Sequence, residues 1–436
     1  MKITKFSICG FRNLGKTSIE LKPITALVSL NSYGKSNLFS ALDFALSFMH
    51  STTNIRKDMM SSISSMPLNA NLDTTDFSFS IEIDYDNNGN ERSASYRFSF
   101  EWARNNGNGA KLVAEELSIR DKKARSHTKL LMQRFEGNAK LRVFETGRCS
   151  SNIKKEFGDS ELVLDYLKVS CPDYMKIVVN AVSNIKAYID EQLDATSLYH
   201  CIPQIVFHSD IGRDLTLENI PNSLFMLKQK DPILYSNIEN IFLSLFPNIA
   251  NIEILESDIS KDLKVLTENG NAPFSVSPKI YSLWVRDRNM NQPLDFRFLS
   301  AGAKRVLMQL VHIANARMNG ISIVGLEEPE NSIHPALFQG FLDTLENLAG
   351  DMRIIITSHS PYLIEYLDFG GIYIGLPSDD GIARFRTFAS SRKLQELMSD
   401  ADESSTLIGN YIFELLSGNE SERKILSSYL EAVDES

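Results

Sequence analysis

The chain has 436 residues, of which 43% are hydrophobic and 23% charged, and its formal net charge is −10. These proportions are ordinary for a globular protein, and a chain of this length can bury a large core without disulfides or a structural metal. They exclude an intrinsically disordered chain, collagen and a small cysteine-rich scaffold.

Cysteine usage and hydropathy bear on the compartment. The cysteines at positions 9, 149, 171 and 201 show no CxxC spacing, which is typical of reduced thiols and not of zinc ligands. No apolar run approaches the roughly 18 residues of a membrane-spanning helix, and the amino terminus lacks the apolar block of a signal peptide. We therefore predict a cytoplasmic protein with no membrane partner.

The first predicted elements form a strand–loop–helix unit. Residues 1–10 and 17–22 alternate apolar and polar side chains, and residues 24–30 form a short apolar run typical of a buried strand. The loop NSYGKS follows, and apolar residues at helical spacing continue from Leu38 to Met49. Residues 51–76 are rich in Ser, Asn, Thr and Met, which predicts an exposed loop.

The rest of the chain mixes strands and helices. A period of two around the turn NNGN predicts a hairpin over 77–103. Residues 153–195 and 221–247 are predicted to be helical, 251–298 to form short strands, and the chain from 302 to alternate helix and strand. We predict four segments, which are 1–150 (the strand–loop–helix unit and a β subdomain), 151–250 (a helical insertion), 251–390 (a second α/β part) and 391–436 (an acidic helical tail).

The first chemical motif is the loop between the buried strand and the first helix. A phosphate-binding loop needs inward-facing amides at a helix start, a lysine for the β- and γ-phosphates and a hydroxyl for Mg²⁺. Gly34, Lys35 and Ser36 supply the second half of that pattern, whereas Ser29 and Ser32 stand where glycines are expected. Taken alone, the loop could also be an ordinary surface turn.

Three further motifs follow in the last third of the chain. The apolar run ISIVGL ends in Glu327 and Glu328, a pair suited to hold Mg²⁺ and to polarise a water, although Glu is also common at helix starts. Ser300 and Gly302 open a helix and suit a γ-phosphate, or Ser300 is a plain N-cap. His359 follows the run RIIITS, where it is either a ligand residue or an ordinary loop residue.

The order of these motifs predicts an ABC-type ATPase head. The chain resembles the SMC/RecF-like branch of ABC ATPases, and within it the OLD-like (overcoming lysogenization defect) AAA proteins. The resemblance rests on EEPENSIHP at 327–335, ITSHSPYLI at 356–364 and Phe11-Arg12-Asn13 near the amino terminus. It implies an α/β fold with a mixed sheet, an inserted helical/β subdomain and a helical tail.

The resemblance also assigns roles. Lys35 and the loop would bind ATP phosphates, Ser36 and Glu327 would hold Mg²⁺, Glu328 would be the catalytic base, and His359 would sense the γ-phosphate. Ser300 and Gly302 would contact the γ-phosphate of a nucleotide held by another protomer, with residues 331–334 crossing the interface. The residues implied in nucleotide binding are Arg12, Asn13, Asn31, Ser32, Tyr33, Gly34, Lys35, Ser36, Asn37, Ser300 and Gly302.

This division of labour implies a head-to-tail homo-oligomer joined by ATP, with hydrolysis as the release step. Ser29 and Ser32 replace flexible glycines, and Ala303 stands where many such ATPases carry Gln or Glu, so we expect slow turnover.

The residues after His359 lack the Toprim nuclease chemistry of OLD nucleases. Asp400-Ala401-Asp402 fits a D-x-D pattern but lies at a predicted helix end. The chain therefore resembles the stand-alone ATPase subunits of two-gene anti-phage systems such as Septu or PARIS, whose effector, an HNH or Toprim nuclease, acts in trans. The alternatives are a RecF-like DNA-repair ATPase and, much less favoured, a transporter ATPase.

Charge is unevenly placed along the chain. Residues 120–142 hold eight Lys/Arg against two acids, which predicts either a solvated strand face or a contact with DNA or a partner. Residues 395–436 hold ten Asp/Glu against two Lys/Arg, so two minus ten, or −8, of the net charge lies there. The acidic tail is either a surface helix pair or a docking site for a basic partner.

Overall fold

The chain folds into two compact units. A computed structural model describes residues 1–62, 67–72, 76–104, 108–123, 126–145, 150–191, 195–203, 205–207, 219–260, 274–331 and 333–432. Unit 1 consists of Met1–Ile189, Ile321–Glu328 and Asp351–Ser436, and unit 2 of Asp190–Gly320 and Pro329–Gly350. Within the described ranges, no helix combines the length and the apolar character needed to cross a membrane.

Strands and helices alternate along the chain. The strands are β1 (Lys2–Cys9), β2 (Thr17–Glu20), β3 (Ile24–Ser29), β4 (Asp76–Asp86), β5 (Glu91–Glu101), β6 (Lys111–Asp121), β7 (Lys129–Phe135), β8 (Asn138–Arg142), β9 (Ser150–Asn152), β10 (Ala187–Asp190), β11 (Ile205–Phe207), β12 (Ile249–Asp258), β13 (Phe274–Val276), β14 (Lys279–Asp287), β15 (Leu294–Asp295), β16 (Ile323–Glu327), β17 (Arg353–Ser358), β18 (Ile372–Gly375) and β19 (Phe385–Arg386). The helices are α1 (Lys35–His50), α2 (Thr53–Ser61), α3 (Val163–Val169), α4 (Lys176–Ser183), α5 (Ile220–Lys230), α6 (Pro232–Leu245), α7 (Ala301–Met318), α8 (Pro335–Ala349), α9 (Pro361–Tyr366), α10 (Ser391–Glu403), α11 (Ile408–Ser417) and α12 (Glu420–Tyr429).

An antiparallel sheet of order β2-β1-β4-β5-β6-β7-β8-β9 forms one layer of unit 1. The predicted hairpin is confirmed, because β4 pairs with β5 from Asp76↔Glu101 to Asp86↔Glu91. Alternation places the aromatic side chains of both strands on one face, where Phe77 and Phe100 stack at 5.0 Å and pack on α1 through Phe44. An apolar face buried against a helix is the usual arrangement for a sheet of this kind.

A mixed sheet of order β10-β16-β17-β3-β18-β19 carries the motifs. Its strands β16, β17, β3 and β18 run parallel, and β19 is antiparallel to β18. Every residue of β3 and β17 is buried, which explains their unbroken apolar runs. Parallel strands end at one edge of a sheet, so the residues that follow β16, β17 and β3 lie near one another.

Unit 2 contains helices and a sheet of order β12-β14-β15. Its helix α7 is buried from Ala303 to Ala316 and includes the polar side chains of Gln309 and His312. The His312 ring lies 3.1 Å from the Asp190 carboxylate, and both side chains are almost fully buried. The fold is therefore mixed α/β, with the predicted mixed sheet and helical tail confirmed.

Two predicted elements differ from the structure. The predicted loop 51–76 contains α2, because Arg56 is fully buried and donates to Phe48 O at 2.8 Å and to Asp165 at 2.6 Å. The predicted helical region 153–195 is interrupted, since it holds α3, α4 and strand β10. In both places tertiary contacts decide what local composition leaves open.

A buried carboxylate holds the start of α3. Glu115 is fully buried and accepts hydrogen bonds from Tyr96 Oη at 2.9 Å, Val163 N at 2.7 Å and Leu164 N at 2.8 Å. Burial raises the pKa of the Glu115 carboxyl, and the three donors act in the opposite direction. The side chain thus caps a helix whose own N-cap residue provides no side-chain bond.

Glu115→Ala is expected to destabilise the protein by about 3 kcal/mol, because it leaves three buried donors unsatisfied at roughly 1 kcal/mol or more each. Glu116→Ala is the matched control, since its partner Arg97 is 61% exposed and surface ion pairs contribute little. Urea unfolding of both variants measures the difference. Equal losses for the two would show that the cap contributes nothing.

Candidate nucleotide-binding and hydrolysis site

The loop between β3 and α1 forms an uncapped helix start. Gly34 is the N-cap residue with φ 127°, and no side chain caps this end. The first intrahelical bond runs from Leu38 N to Gly34 O at 3.0 Å. The amides of residues 35–37 thus precede the helical ladder, and amides in that position favour a bound anion.

Lys35 lies inside the curve of this loop. Its ammonium donates to Ser29 O at 2.8 Å, to Ser29 Oγ at 3.2 Å and to Leu30 O at 3.2 Å. The residue is 7% exposed. These three acceptors are uncharged oxygens that fix the position of the ammonium. Ser29, one of the two departures from the phosphate-loop pattern, serves here as an acceptor for Lys35.

The other departure, Ser32, lies in the left-handed region with φ 60°. A non-glycine residue held there costs about 1–3 kcal/mol of local strain. Gly34 has no alternative, because a Cβ at this position would lie 2.7 Å from Ala383 Cβ and 3.1 Å from Asn13 Oδ1. The loop therefore keeps its curvature with one glycine and one strained serine.

Arg12, Asn13 and Asn37 form a chain of hydrogen bonds beside the loop. Arg12 Nη1 donates to Asn37 Oδ1 at 2.9 Å, Asn37 Nδ2 to Asn13 Oδ1 at 2.7 Å, and Asn13 Nδ2 to Tyr33 O at 3.2 Å. The structure thus brings these predicted residues to the phosphate loop. They line a pocket of about 540 Å³. Among the described residues its lining is Arg12, Asn13, Asn37, Pro67, Leu68 and Asn69.

Residues 67–69 of this pocket were missed by the sequence analysis. They belong to the stretch predicted as a loop, and no residue type there signals a ligand. Their placement comes from the backbone, since Asn69 N donates to Arg12 O at 2.8 Å. A pocket of a few hundred Å³ is the size of small-ligand sites in general.

Glu327 and Glu328 end strand β16 as predicted. Glu327 is paired with Thr357 of the parallel strand β17, and Glu328 N donates to Thr357 O at 3.0 Å. Glu328 has φ 44°, another left-handed non-glycine residue. His359 Nδ1 lies 3.0 Å from Glu328 Oε1, with the side chains 41% and 28% exposed. The predicted base and the predicted sensor are therefore in direct contact.

The sheet order places these groups next to the loop. Strand β17 lies between β16 and β3, with Ser358 in register with Val28. The Ser36 hydroxyl and the Glu327 carboxylate are hard oxygen donors of the kind that Mg²⁺ prefers, and Mg²⁺ sites commonly use one or two protein ligands beside phosphates and water. Over the described part of the chain there is no group of three or more acidic, His or Cys side chains that could hold a metal alone.

Ser300 belongs to unit 2, whereas the phosphate loop belongs to unit 1. Ser300 Oγ accepts from Ala303 N at 3.2 Å, so this residue is the N-cap of α7. Accepting that bond leaves the hydroxyl proton free to be donated. His334 is likewise an N-cap, of α8, with Nδ1 accepting from Ala336 N at 3.3 Å. Ser332, within the predicted interface loop, lies outside the described residues.

Several basic side chains of the run 120–142 are buried or paired with acidic residues within unit 1. Arg134 is buried and donates to Gly158 O at 3.0 Å and to two further carbonyls. Lys129 lies 3.6 Å from Asp121, and Lys122 pairs with Asp84 at 2.5 Å. These pairings favour the solvated-strand interpretation of the run over a DNA-contacting face.

Residues 1–364 match the family described as AAA ATPase domain. The chain belongs to this family. An ATPase domain is thus shown over these residues, as predicted. The phosphate loop, the Glu327–Glu328 pair and His359, three of the four motifs behind the sequence prediction, follow or end β3, β16 and β17 of one mixed sheet.

One curated relative is the "Retron Ec83 probable ATPase" of Escherichia coli, which is 23% identical over 175 residues. The match spans 36% of this chain and 28% of the relative, so most of the relative's length has no counterpart in it.

Two solved SMC heads align with most of this chain at low sequence identity. The SMC head bound to the C-winged helix domain of ScpA is 15% identical with a TM-score of 0.49, and the match covers 91% of this chain and all of that one. The SMC head domain from Thermotoga maritima is 10% identical with a TM-score of 0.42, covering 89% and 99% of the two chains.

Proposed function

We propose that this chain is an ATP-gated regulatory subunit that controls a nuclease effector in trans during bacterial anti-phage defence, in the cytoplasm. Two protomers would associate head-to-tail around ATP. The observation that carries the proposal is the contact of Glu328 with His359, which follows β17, the neighbour of the strand β3 that leads into the phosphate loop. The retron ATPase among the relatives supports the defence setting.

In the proposed mechanism the residues of unit 1 bind ATP and prepare the attacking water. Lys35 and the amides of residues 35–37 would bind the β- and γ-phosphates. Ser36 and Glu327 would hold Mg²⁺, which would supply charge neutralisation at the phosphates. Glu328 accepts a proton from the attacking water, and His359 orients the Glu328 carboxylate through the 3.0 Å contact.

Ser300 of the second protomer completes the site in this proposal. Its hydroxyl donates to the γ-phosphate, with the amides that open α7 beside it. Loss of the γ-phosphate removes this contact and separates the protomers. Turnover is proposed to be slow, with ATP acting as a switch. A hydrolysis rate well above about 10 per second, a typical enzyme median, would contradict that role of ATP.

A pair of N-cap variants tests the association. Ser300→Gly should abolish ATP-dependent dimerisation while costing the helix only a few tenths of a kcal/mol, because glycine is tolerated at N-caps. Ser390→Gly is the matched control, since Ser390 Oγ caps α10 by accepting from Lys393 N at 3.2 Å. Light scattering with and without ATP gives the mass of each.

We expect the parent chain and Ser390→Gly to double in mass with ATP, and Ser300→Gly to stay monomeric. A Ser300→Gly protein that dimerises like the parent would refute the assigned contact. Co-expression with the product of the adjacent gene then tests the effector. Its nuclease activity should change with ATP in the parent complex and should be insensitive to ATP when Ser300→Gly replaces the parent.

A further inference from the structure

Tyr33, in the middle of the phosphate loop, is anchored outside it. Its hydroxyl accepts from Arg384 N at 3.0 Å and donates to Arg384 O at 3.2 Å. Its ring meets Phe385 edge-on at 5.7 Å and lies over Gly375, where a Cβ would be 2.5 Å from two ring carbons. Burial raises the pKa of the Tyr33 phenol, so it stays neutral and can both donate and accept.

The segment Ser378–Arg386, called the strap here, also holds the residues on either side of the loop. Ala383 N donates to Asn13 O at 2.8 Å, and Asn13 Nδ2 donates to Gly381 O at 3.3 Å. Ala383 Cβ also packs where a side chain at position 34 would lie. The strap therefore contacts Asn13, which lies beside the phosphate loop, and packs against Gly34 within the loop.

The strap is itself braced by Asp380. Its carboxylate accepts from Ser378 Oγ at 2.6 Å, from Ile382 N at 2.9 Å and from Arg384 Nη1 at 2.7 Å. One carboxylate thus links Ser378, Ile382 and Arg384 of the strap.

The carboxyl end of the strap is bonded to the end of the last described helix. Glu431 N donates to Thr387 O and Ala389 N donates to Tyr429 O, both at 2.9 Å. Arg386 Nη2 donates to Ser427 Oγ at 3.2 Å. A continuous set of bonds within unit 1 thus joins the phosphate loop to the acidic helices α10–α12.

We propose that Tyr33 is a positioning residue that sets the phosphate loop against the strap, and that the strap transmits the closure of the loop on ATP to helices α10–α12. The inference rests on the proposed phosphate site. Coupling between two binding sites is reciprocal. A partner bound to the acidic helices would therefore change the affinity for ATP by the same factor by which ATP changes the affinity for that partner.

Tyr33→Phe tests the positioning step, because it removes the hydroxyl and keeps the ring. We expect the KM for ATP to rise about tenfold with kcat within about twofold, because the two hydrogen bonds that hold Tyr33 to the Arg384 backbone are lost. Tyr373→Phe is the matched control, since Tyr373 Oη, on β18 of the mixed sheet, accepts from Glu20 N of β2 at 2.8 Å. It should lower the melting temperature similarly and leave the KM unchanged.

Amide exchange tests the transmission. In the full chain carrying Glu328→Gln, saturating ATP should slow exchange in peptides covering 385–391 and 427–432 by about fivefold or more, and adding Tyr33→Phe should remove that effect. Unchanged exchange in the first protein, or full protection in the second, overturns the proposal. If the chain binds no ATP at all, the proposed phosphate site is wrong as well. ATP binding without a change in exchange refutes only the transmission through the strap.

Discussion

Lys35→Ala is expected to abolish ATP binding, with kcat/KM falling by about 10³-fold or more. The ammonium is almost fully buried within the loop, so its attraction for a phosphate is exerted in a medium of low dielectric. A loss of about 4 kcal/mol corresponds to roughly three powers of ten in rate. Titration with a fluorescent ATP analogue and steady-state hydrolysis measure the two effects.

Lys304→Ala is the control for this variant. Lys304 is buried to the same extent, at 7% exposure, and donates to Thr196 Oγ1 at 2.9 Å and Arg297 O at 3.2 Å in unit 2. We expect it to cost comparable stability and to leave ATP binding by the monomer unchanged. If Lys35→Ala binds ATP within about threefold of the parent chain, the phosphate site is wrongly assigned.

The strand–loop–helix around Lys35 could be predicted because its signals are local. An apolar run with β-branched residues, followed by a glycine, a lysine and a helical periodicity, specifies the element order over few residues. The same holds for the carboxylates after β16 and for His359 after β17. Each follows a buried strand, and parallel strands bring their ends to one edge.

The surroundings of the site could not be predicted in this way. Tyr33 bonds to the backbone of Arg384 across 351 positions, and Asn69 bonds to the carbonyl of Arg12. Backbone donors and acceptors are present at nearly every residue, so such contacts leave no trace in composition. The two interpretations of the basic run stayed open for a related reason, because sequence charge does not reveal that Arg134 is buried.

Glu328→Gln is expected to keep ATP binding within a few-fold and to lower kcat by about 10²–10⁴-fold, the range attributed to a general base. Glutamine has the shape of glutamate, and its amide oxygen can still accept from His359 Nδ1. It cannot take a proton from water. Single-turnover hydrolysis separates this defect from one in product release.

The discriminating comparison is Glu327→Gln, at the neighbouring position on β16. If Glu327 holds Mg²⁺, this variant should raise the Mg²⁺ concentration needed for half-maximal ATP binding, an effect that Glu328→Gln should not show. If Glu328→Gln hydrolyses ATP at the rate of the parent chain, Glu328 is not the general base. The ATP-bound dimer of Glu328→Gln should persist, whereas that of the parent chain should decay as ATP is consumed. That result would show that hydrolysis releases the protomers, and it would make the contact between Glu328 and His359 the control point of the release.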